Sequence, residues 1–292
     1  IVSPEVETRT LKKLLLLDPY NYGLKAGVNL AISNFLEDNF SESKRYLSKA
    51  NIIQEKHSPD FRGEKVYQQF LRSILKWHEE KYSQNCDREI DSTLYVIGES
   101  HSLVSHKLYI QRPNVFMRCK AQLIKGCKQW HLGNSMRNKY KNQFEGIFSS
   151  IPKSSEVLLA IGEIDCRLDS GIIKYKNKFP EKDLREIIET TVGDYLIYVV
   201  NTNVSYKHNI RIQGVPCPNI DLENHAEKDI AELIDVIRIF NNELKSKSIE
   251  KGFQFLDVHK LTDRGDGFSN GTWHIDNHHL SPEGFMEAWT YK

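Results

Sequence analysis

The chain of 292 residues has almost no net charge and no long apolar run, and each shortage excludes a class of protein. Its 40 basic residues against 39 acidic ones leave a net charge of +1, which gives no electrostatic case for nucleic-acid binding. No apolar run approaches the roughly 20 residues of a membrane span, and Leu14 to Leu17 is too short for the apolar part of a secretory signal. We expect a globular protein with neither a membrane span nor a nucleic-acid partner.

Cysteine is also scarce, and its spacing is uninformative for metal binding. The five cysteines never occur as Cys-x-x-Cys: Cys86, Cys119, Cys127, Cys166 and Cys217. An odd number of scattered cysteines argues against a disulfide framework and against a structural zinc site. A reducing compartment fits this usage, so we expect a cytoplasmic location. Because the chain begins at Ile1, we expect a fragment, a processed product or the tail of something longer.

Residues 1–85 have a helical apolar period. The spacing suits two packed amphipathic helices, with apolar residues at Leu30, Ala31, Phe35, Phe40, Leu47 and Ala50. The stretch resembles a tetratricopeptide repeat, because small Ala31 and Ala50 stand where that family packs its helices closely. Leu17 to Pro19 resembles the end of a preceding unit, and residues 61–82 are predicted to form a further helix.

About three repeats are needed to bury a continuous core, and this segment has fewer. It is therefore expected to cap an array that continues upstream or to dock on the next domain. The resemblance implies a protein partner for the segment, and an unrelated helical hairpin is the alternative.

Beyond a polar linker at Ser83 to Ser92, the period changes to short apolar runs that alternate with amphipathic helices. The runs are Leu94 to Ile97, Val157 to Ile161, Ile210 to Val215 and Phe253 to Val258. Such alternation predicts a parallel sheet covered on both faces. Val115 to Ile124 alternates apolar with polar residues, which predicts an edge strand. The fold class is thus an α/β domain over residues 91–292, a five-stranded doubly wound sheet, behind an all-α segment over residues 1–85.

Two polar turns, Gly98 to Ser100 and Gly162 to Asp165, follow predicted strands. Ligands of such sheets bind beyond the carboxyl ends of the strands. One turn contains Ser100, and a serine becomes nucleophilic only beside a base that a third group orients. The last segment offers Asp276 and His279, three positions apart and able to hydrogen-bond directly. Two alternatives stay open. Ser100 could be a capping residue of a turn, and the neighbouring His278 could be the base instead of His279.

The same segment raises the question of a metal. His274, Asp276, His278 and His279 would be enough ligands, but no HExxH framework orients them, so no metal is expected. His101 is interpreted as a helix-start residue, with a second base as the alternative. Gly214 to Asn219 is interpreted as a structural turn, with shaping of the pocket rim as the alternative.

Four segments resemble the conserved blocks of the SGNH (GDSL-type) hydrolases. Gly98 to Ser102 is similar to block I, with Glu99 in place of the usual Asp, and Asp276 to Ser281 is similar to the DxxHLS of block V. Val157 to Arg167 stands where the GxND block falls, and Ile124 to Asn134 offers Gly126 as the block II glycine. The resemblance covers residues 91–292 in the family's order.

This resemblance implies a flavodoxin-like fold and ester hydrolysis or acyl transfer, with no cofactor. By position, Ser100 would be the nucleophile, His279 the base and Asp276 the group that orients the base. The backbone N–H groups of Ser100 and Gly126 would form the oxyanion hole.

One departure concerns the oxyanion hole, because the family's Asn falls on Ile164, which has no donor. Losing one such donor costs about 10² to 10³ in rate. Asn134 and Arg167 are candidate substitutes. Glu99, Gly162, Glu163 and Asp165 are candidates for substrate contact or support of the site, with a buried ion pair of Glu163, Asp165 and Arg167 as the alternative.

The expected function is a serine esterase or O-acyltransferase that acts on acyl esters, with an acetyl ester of a carbohydrate as the candidate substrate. Two alternatives remain: a catalytically impaired module that binds a glycan or acyl group, and a protein-docking function of the helical segment.

Overall fold

The structure is a computed structural model that describes residues 8–13, 23–57, 62–81 and 89–291. The chain divides into two compact units, Ile1–Asp87 and Arg88–Lys292. No helix in these described ranges is long and apolar enough to cross a membrane.

The first unit is helical throughout its described residues. Its helices are α1 (residues 8–13), α2 (Gly23–Leu36), α3 (Phe40–His57) and α4 (Arg62–Glu80). A Cβ atom added to Gly27 would lie 3.2 Å from the Cβ of Ala50, so α2 and α3 approach closely there. Ser43 of α3 donates to the Ala31 carbonyl of α2 at 2.8 Å.

The expected helices are therefore present, and the repeat remains a prediction. Leu17 to Pro19, which resembled the end of a preceding unit, lies outside the described residues. Most of the predicted linker, Ser83 to Ser92, lies outside them as well.

The second unit is a layered α/β domain. Its strands are β1 (Ser92–Gly98), β2 (Tyr109–Arg112), β3 (Val115–Leu123), β4 (Glu156–Ala160), β5 (Asn209–Gln213) and β6 (Gln254–Leu256). Its helices are α5 (Gln129–Gly133), α6 (Lys139–Ser150), α7 (Glu163–Cys166), α8 (Gly171–Lys178), α9 (Leu184–Asn203), α10 (Glu227–Glu250), α11 (Val258–Thr262) and α12 (Pro282–Glu287). Two 3₁₀ helices cover Ser100–Ser105 and Leu222–Asn224.

The sheet has six strands in the order β2-β3-β1-β4-β5-β6, and every pair is parallel except β2 with β3. The parallel α/β prediction is confirmed, and the count of five strands is wrong. β2 was missed because its four residues, with one buried side chain, contain no apolar run. β3 is not the edge strand, since β2 covers it. Its alternating pattern reflects burial of one face, where Met117, Cys119 and Ala121 point inward.

The core lies between the sheet and helices α6, α9 and α10. Ile188, Val192 and Leu196 of α9 are fully buried on the face that the apolar spacing predicts. Phe144 and Phe148 of α6 pack into the same cluster. Together these helices cover one face of the central strands, so the carboxyl ends of those strands are held in fixed positions.

Gly98 determines how closely β1 and β4 approach at the carboxyl end of the sheet. It pairs with Leu123 of β3 and Ala160 of β4, so three strands end level with one another. A Cβ atom on Gly98 would lie 2.2 Å from the Ala160 carbonyl oxygen, closer than any real contact. Only glycine permits this approach of β1 to β4.

Gly98→Ala should therefore lower the free energy of unfolding by about 2 kcal/mol or more, because the backbone of β4 must move to accept a methyl group. Gly146→Ala is the matched control: Gly146 is exposed in the interior of α6 with nothing near its Cβ position. Alanine there should gain about 0.5–1 kcal/mol through its helix propensity. Urea denaturation measures both, and equal stabilities of the two variants would contradict this account of Gly98.

Candidate active site

Ser100 is the first residue of the 3₁₀ helix that directly follows β1. Glu99 caps that helix, with its side chain accepting the N–H of His101 at 3.2 Å. The Glu99 carbonyl also accepts the Ser102 N–H at 3.0 Å and the Ser102 hydroxyl at 2.8 Å. All six residues of the 3₁₀ helix are buried. The serine is thus held rigidly at the carboxyl end of a central strand.

His279 lies in the loop before α12, and hydrogen bonds to Asp276 fix the conformation of that loop. The Asp276 Oδ1 atom accepts the backbone N–H groups of His278 at 2.8 Å and His279 at 2.7 Å. Asn219 supports the same loop by donating to the Asp276 carbonyl at 3.1 Å. The sequence had placed Asn219 only in a turn, and no local pattern pointed to its contact with Asp276.

The structure brings Ser100, His279 and Asp276 together in one hydrogen-bonded chain. Ser100 Oγ lies 2.7 Å from His279 Nε2, and His279 Nδ1 lies 2.8 Å from Asp276 Oδ2. Because the carboxylate faces Nδ1, that nitrogen carries the proton, and Nε2 offers its lone pair to the serine. Burial opposes the charge on Asp276, yet the hydrogen bonds from His279 hold the pKa of its carboxyl well below the usual range.

His278, the competing base, faces elsewhere. Its Nδ1 atom lies 3.4 Å from Glu163 Oε1, and its side chain is 39% exposed. His279 is fully buried against the serine. The placement therefore distinguishes two adjacent histidines that the sequence could not.

Behind the serine lies a group of buried ionisable side chains. Glu99 Oε2 is 2.6 Å from Ser100 Oγ, and burial together with the nearby charge of Glu163 raises the pKa of Glu99 to about 8. Glu163 is paired with Arg167, whose Nε lies 2.8 Å from both carboxylate oxygens. Burial disfavours the charged form of Glu163, but His278 and Arg167 hold its pKa well below the ordinary value. Glu163 is therefore paired with a cation, and Glu99 is not.

His101, expected to start a helix, points into this group. Its Nε2 atom is 3.9 Å from Glu99 Oε1 and from Glu163 Oε2, with no hydrogen-bond partner among the described residues. Its ring lies 4.7 Å from that of His279, centroid to centroid. Burial lowers the pKa of His101 well below its ordinary value, so the ring is neutral.

Gly126, predicted with Ser100 to form an oxyanion hole, lies in the turn after β3. The Ile124 N–H donates to the Gly98 carbonyl at 2.7 Å, and the Cys127 N–H closes the turn on Ile124 at 3.0 Å. Gly126 adopts a φ of 72° within that turn, a conformation that favours glycine. It therefore lies at the same edge of the sheet as Ser100.

Neither candidate substitute for the missing Asn contacts the serine. Asn134 accepts the Met136 N–H at 2.9 Å in a local turn, and the Arg167 guanidinium is engaged by Glu163. Ile164 itself is half-buried in α7.

Asp165 has a structural partner and does not join the ion pair. Its carboxylate accepts the backbone N–H groups of Gln129 at 2.7 Å and Trp130 at 3.2 Å, at the start of α5. Gly162 before α7 has a φ of 150°, and a Cβ atom there would lie 3.0 Å from the ring of Phe240. Of the predicted ion pair, only Glu163 and Arg167 are joined. Gly162 and Asp165 hold the turn in place.

No family model and no curated protein match the chain. Solved structures do match. An extracellular lipase from Streptomyces rimosus is 13% identical, with a TM-score of 0.43, over 68% of this chain and 98% of its own. A GDSL-like lipase from Bacteroides thetaiotaomicron is 12% identical, with a TM-score of 0.44, over 68% and 84%. A phospholipase A1 from Streptomyces albidoflavus is 14% identical, with a TM-score of 0.38, over 69% and 99%. The assignment of the site therefore depends on the geometry of this chain.

In the part of the chain that the structure describes, two groups of side chains are close enough to share a metal ion: Glu99 with His101 and His279, and Cys217 with His259 and Asp263. In the first group, Glu99 and His279 already bond to Ser100, so we assign them to the serine. Of the four residues considered from the sequence, only Asp276 and His279 are in contact, since His274 Nδ1 is 2.8 Å from Ser269 Oγ and His278 faces Glu163.

The buried carboxyl of Asp165 should make stability depend on pH. Burial raises the pKa of Asp165 to about 7, so between its ordinary value and pH 7 the folded state holds a proton that the unfolded chain has lost. Stability must therefore fall as pH rises through this window. Asp165→Asn, which cannot titrate, should reduce the loss between pH 5 and pH 8 by about 2 kcal/mol.

Urea unfolding at the two pH values measures this difference. Glu181→Gln, at an exposed position, is the control and should keep the wild-type loss. An Asp165→Asn variant with the same loss as the wild type would contradict the role of this carboxyl.

Proposed function

We propose that the protein is a serine-dependent ester hydrolase or O-acyltransferase. The single observation that carries the proposal is the chain of contacts from Ser100 Oγ to His279 Nε2 at 2.7 Å and from His279 Nδ1 to Asp276 at 2.8 Å. A hydroxyl, an imidazole and a carboxylate in this order form an activated nucleophile, its base and the group that orients the base.

In the first half-reaction, Ser100 Oγ attacks the ester carbonyl carbon while its proton passes to His279 Nε2. Asp276 stabilises the resulting imidazolium. The negative oxygen of the tetrahedral intermediate would face the backbone N–H groups of Ser100 and Gly126. Collapse breaks the ester C–O bond, and His279 returns the proton to the departing alcohol, which leaves an acyl group on Ser100.

In the second half-reaction, an incoming hydroxyl resolves the acyl-enzyme by the same proton transfers in reverse. Water gives hydrolysis, and an alcohol of a second molecule gives acyl transfer. An acetyl ester of a carbohydrate is the proposed substrate, on the strength of the sequence resemblance alone. The helical unit is proposed to supply a protein-docking surface.

A second function, binding of a glycan or acyl group without turnover, is favoured by one observation. Ile164 has no donor, and neither Asn134 nor Arg167 is directed at the serine. Such a module would still show the contacts of Ser100, but its oxyanion hole would be too weak for turnover.

A fluorophosphonate probe should label Ser100 in the folded protein, with the labelled residue identified by mass spectrometry. Ser100→Ala should abolish labelling, and His279→Ala should slow it by about 10² or more because the base is lost. His278→Ala is the matched control and should change the rate little, since that histidine faces Glu163. Absence of labelling in a folded wild type would contradict the esterase and favour the binding module.

Ile164→Asn should raise kcat for an activated acetyl ester about tenfold or more. The added amide supplies a side-chain donor beside the two backbone N–H groups, and one such donor is worth a factor of about 10² to 10³ in rate. Ile164→Val, which adds no donor, is the control and should leave kcat within a few-fold. Equal rates for the two variants would mean that another group already completes the oxyanion hole.

A further inference from the structure

Ser100 has one proton and two short contacts that both need one. Its Oγ atom lies 2.6 Å from Glu99 Oε2 and 2.7 Å from His279 Nε2. A hydroxyl donates a single hydrogen bond and accepts others. At most one of these contacts can therefore use the serine proton, and the other must use a proton of the neighbouring side chain.

The direction of the contact with His279 follows from Asp276. A histidine that acts as the base of the proposed reaction must be neutral, and the carboxylate of Asp276 then fixes its proton on Nδ1, which leaves Nε2 as an acceptor. Ser100 must then donate to His279. The serine hydroxyl can donate to Glu99 Oε2 only when it does not donate to His279. While its proton is directed to His279, the contact with Glu99 is a hydrogen bond only if Glu99 carries a proton on Oε2 and donates it to the serine oxygen.

The surroundings of Glu99 favour this neutral form. The carboxyl is 1% exposed, and apart from the serine its one hydrogen-bond donor within the described part of the chain is the N–H of His101. The Arg167 guanidinium, whose charge also acts on Glu99, is bonded to Glu163 instead. An unpaired carboxylate in such a place would lose its hydration without compensation.

The charged and titratable groups around Glu99 come from four directions. Neutral His101 lies on the 3₁₀ helix that Glu99 caps, and Glu163 and Arg167 lie on α7 and at its C-terminal end. The Cys127 thiol lies in the turn after β3. The loop before α12 contributes His279 with Asp276. Glu163 is paired with Arg167 and Asp276 with His279, so neither pair provides a free cation for Glu99. Burial, aided by Glu163, accordingly raises the pKa of Glu99 to about 8.

We propose that Glu99 acts as a neutral acid that donates to Ser100 Oγ and so directs the serine proton to His279, and that ionisation of Glu99 switches the site off. On ionisation, Glu99 releases its proton to solvent and becomes an acceptor. The serine proton then turns to Glu99 Oε2, and His279 Nε2 loses the hydrogen bond through which it acts as a base. The inference rests on the proposed function, because it concerns regulation of the same nucleophile.

The labelling rate of Ser100 by a fluorophosphonate, followed from pH 6 to pH 10, tests the consequence. In the wild type the rate should fall about tenfold or more between pH 7 and pH 9.5, after correction for hydrolysis of the probe. Glu99→Gln presents an amide N–H at every pH, so its profile, scaled to its own maximum, should lack this fall. Asp165→Asn, which removes another buried carboxyl, is the matched control and should keep it.

Infrared titration of protein labelled with ¹³C-glutamate tests the charge of Glu99 without any turnover. The carbonyl band of a protonated glutamic acid should be present at pH 7 and lost by pH 10. The Glu99→Gln difference spectrum assigns that band, and the isotope separates it from Asp165.

The outcomes are distinct. An alkaline fall that persists in Glu99→Gln, or a Glu99 that is ionised at pH 7 in the infrared titration, overturns the inference and leaves the esterase intact. No labelling of the folded wild type at any pH overturns the proposed function itself. A fall that disappears only in Glu99→Gln, together with the infrared band, supports the inference.

Discussion

The contact on which the site depends is the close pairing of β1 with β4 at Gly98. The two backbones meet where a side chain would not fit, and both strands end at this level. The turn that holds Ser100 and the turn that holds Glu163 therefore emerge side by side. The loop before α12 reaches the same edge from the far end of the sequence, and a hydrogen bond joins residues 179 positions apart. Backbone packing between strands thus sets the positions of the side chains that meet at the site.

The buried carboxyl groups of the site avoid the cost of burying an unpaired charge in two ways, by pairing or by staying protonated. Taking a carboxylate out of water is unfavourable unless a cation or several donors face it. Glu163 meets the cost by pairing with Arg167, and Asp276 by pairing with His279 and two backbone N–H groups. Glu99 has no such partner and is driven towards its neutral form. Two adjacent carboxyls, Glu99 and Glu163, consequently have opposite pKa shifts, because His278 and Arg167 both face Glu163.

Much of the site could be predicted from spacing along the chain. A serine beyond a strand end and the Asp276-x-x-His279 spacing are local features, and a parallel sheet brings strand ends to one edge. Other features depend on contacts that no local pattern records. Asp165 finds its donors 36 positions away, at the start of α5. The short strand β2 has no apolar run of its own and forms because β3 offers it an edge. The conformation of the loop determines that His279 faces Ser100 and His278 does not, and residue identity alone does not show this.

The exposure of the three site residues is graded, with a consequence for how the solution affects the site. His279 is fully buried and Ser100 is 6% exposed, while the side chain of Asp276 is 34% exposed. Water and dissolved ions therefore meet the hydrogen-bonded chain at its carboxylate end, away from Ser100. Ionic strength will act on the imidazole indirectly, by screening the anion that holds it in place, while the bond between the imidazole and the serine stays in a dry environment.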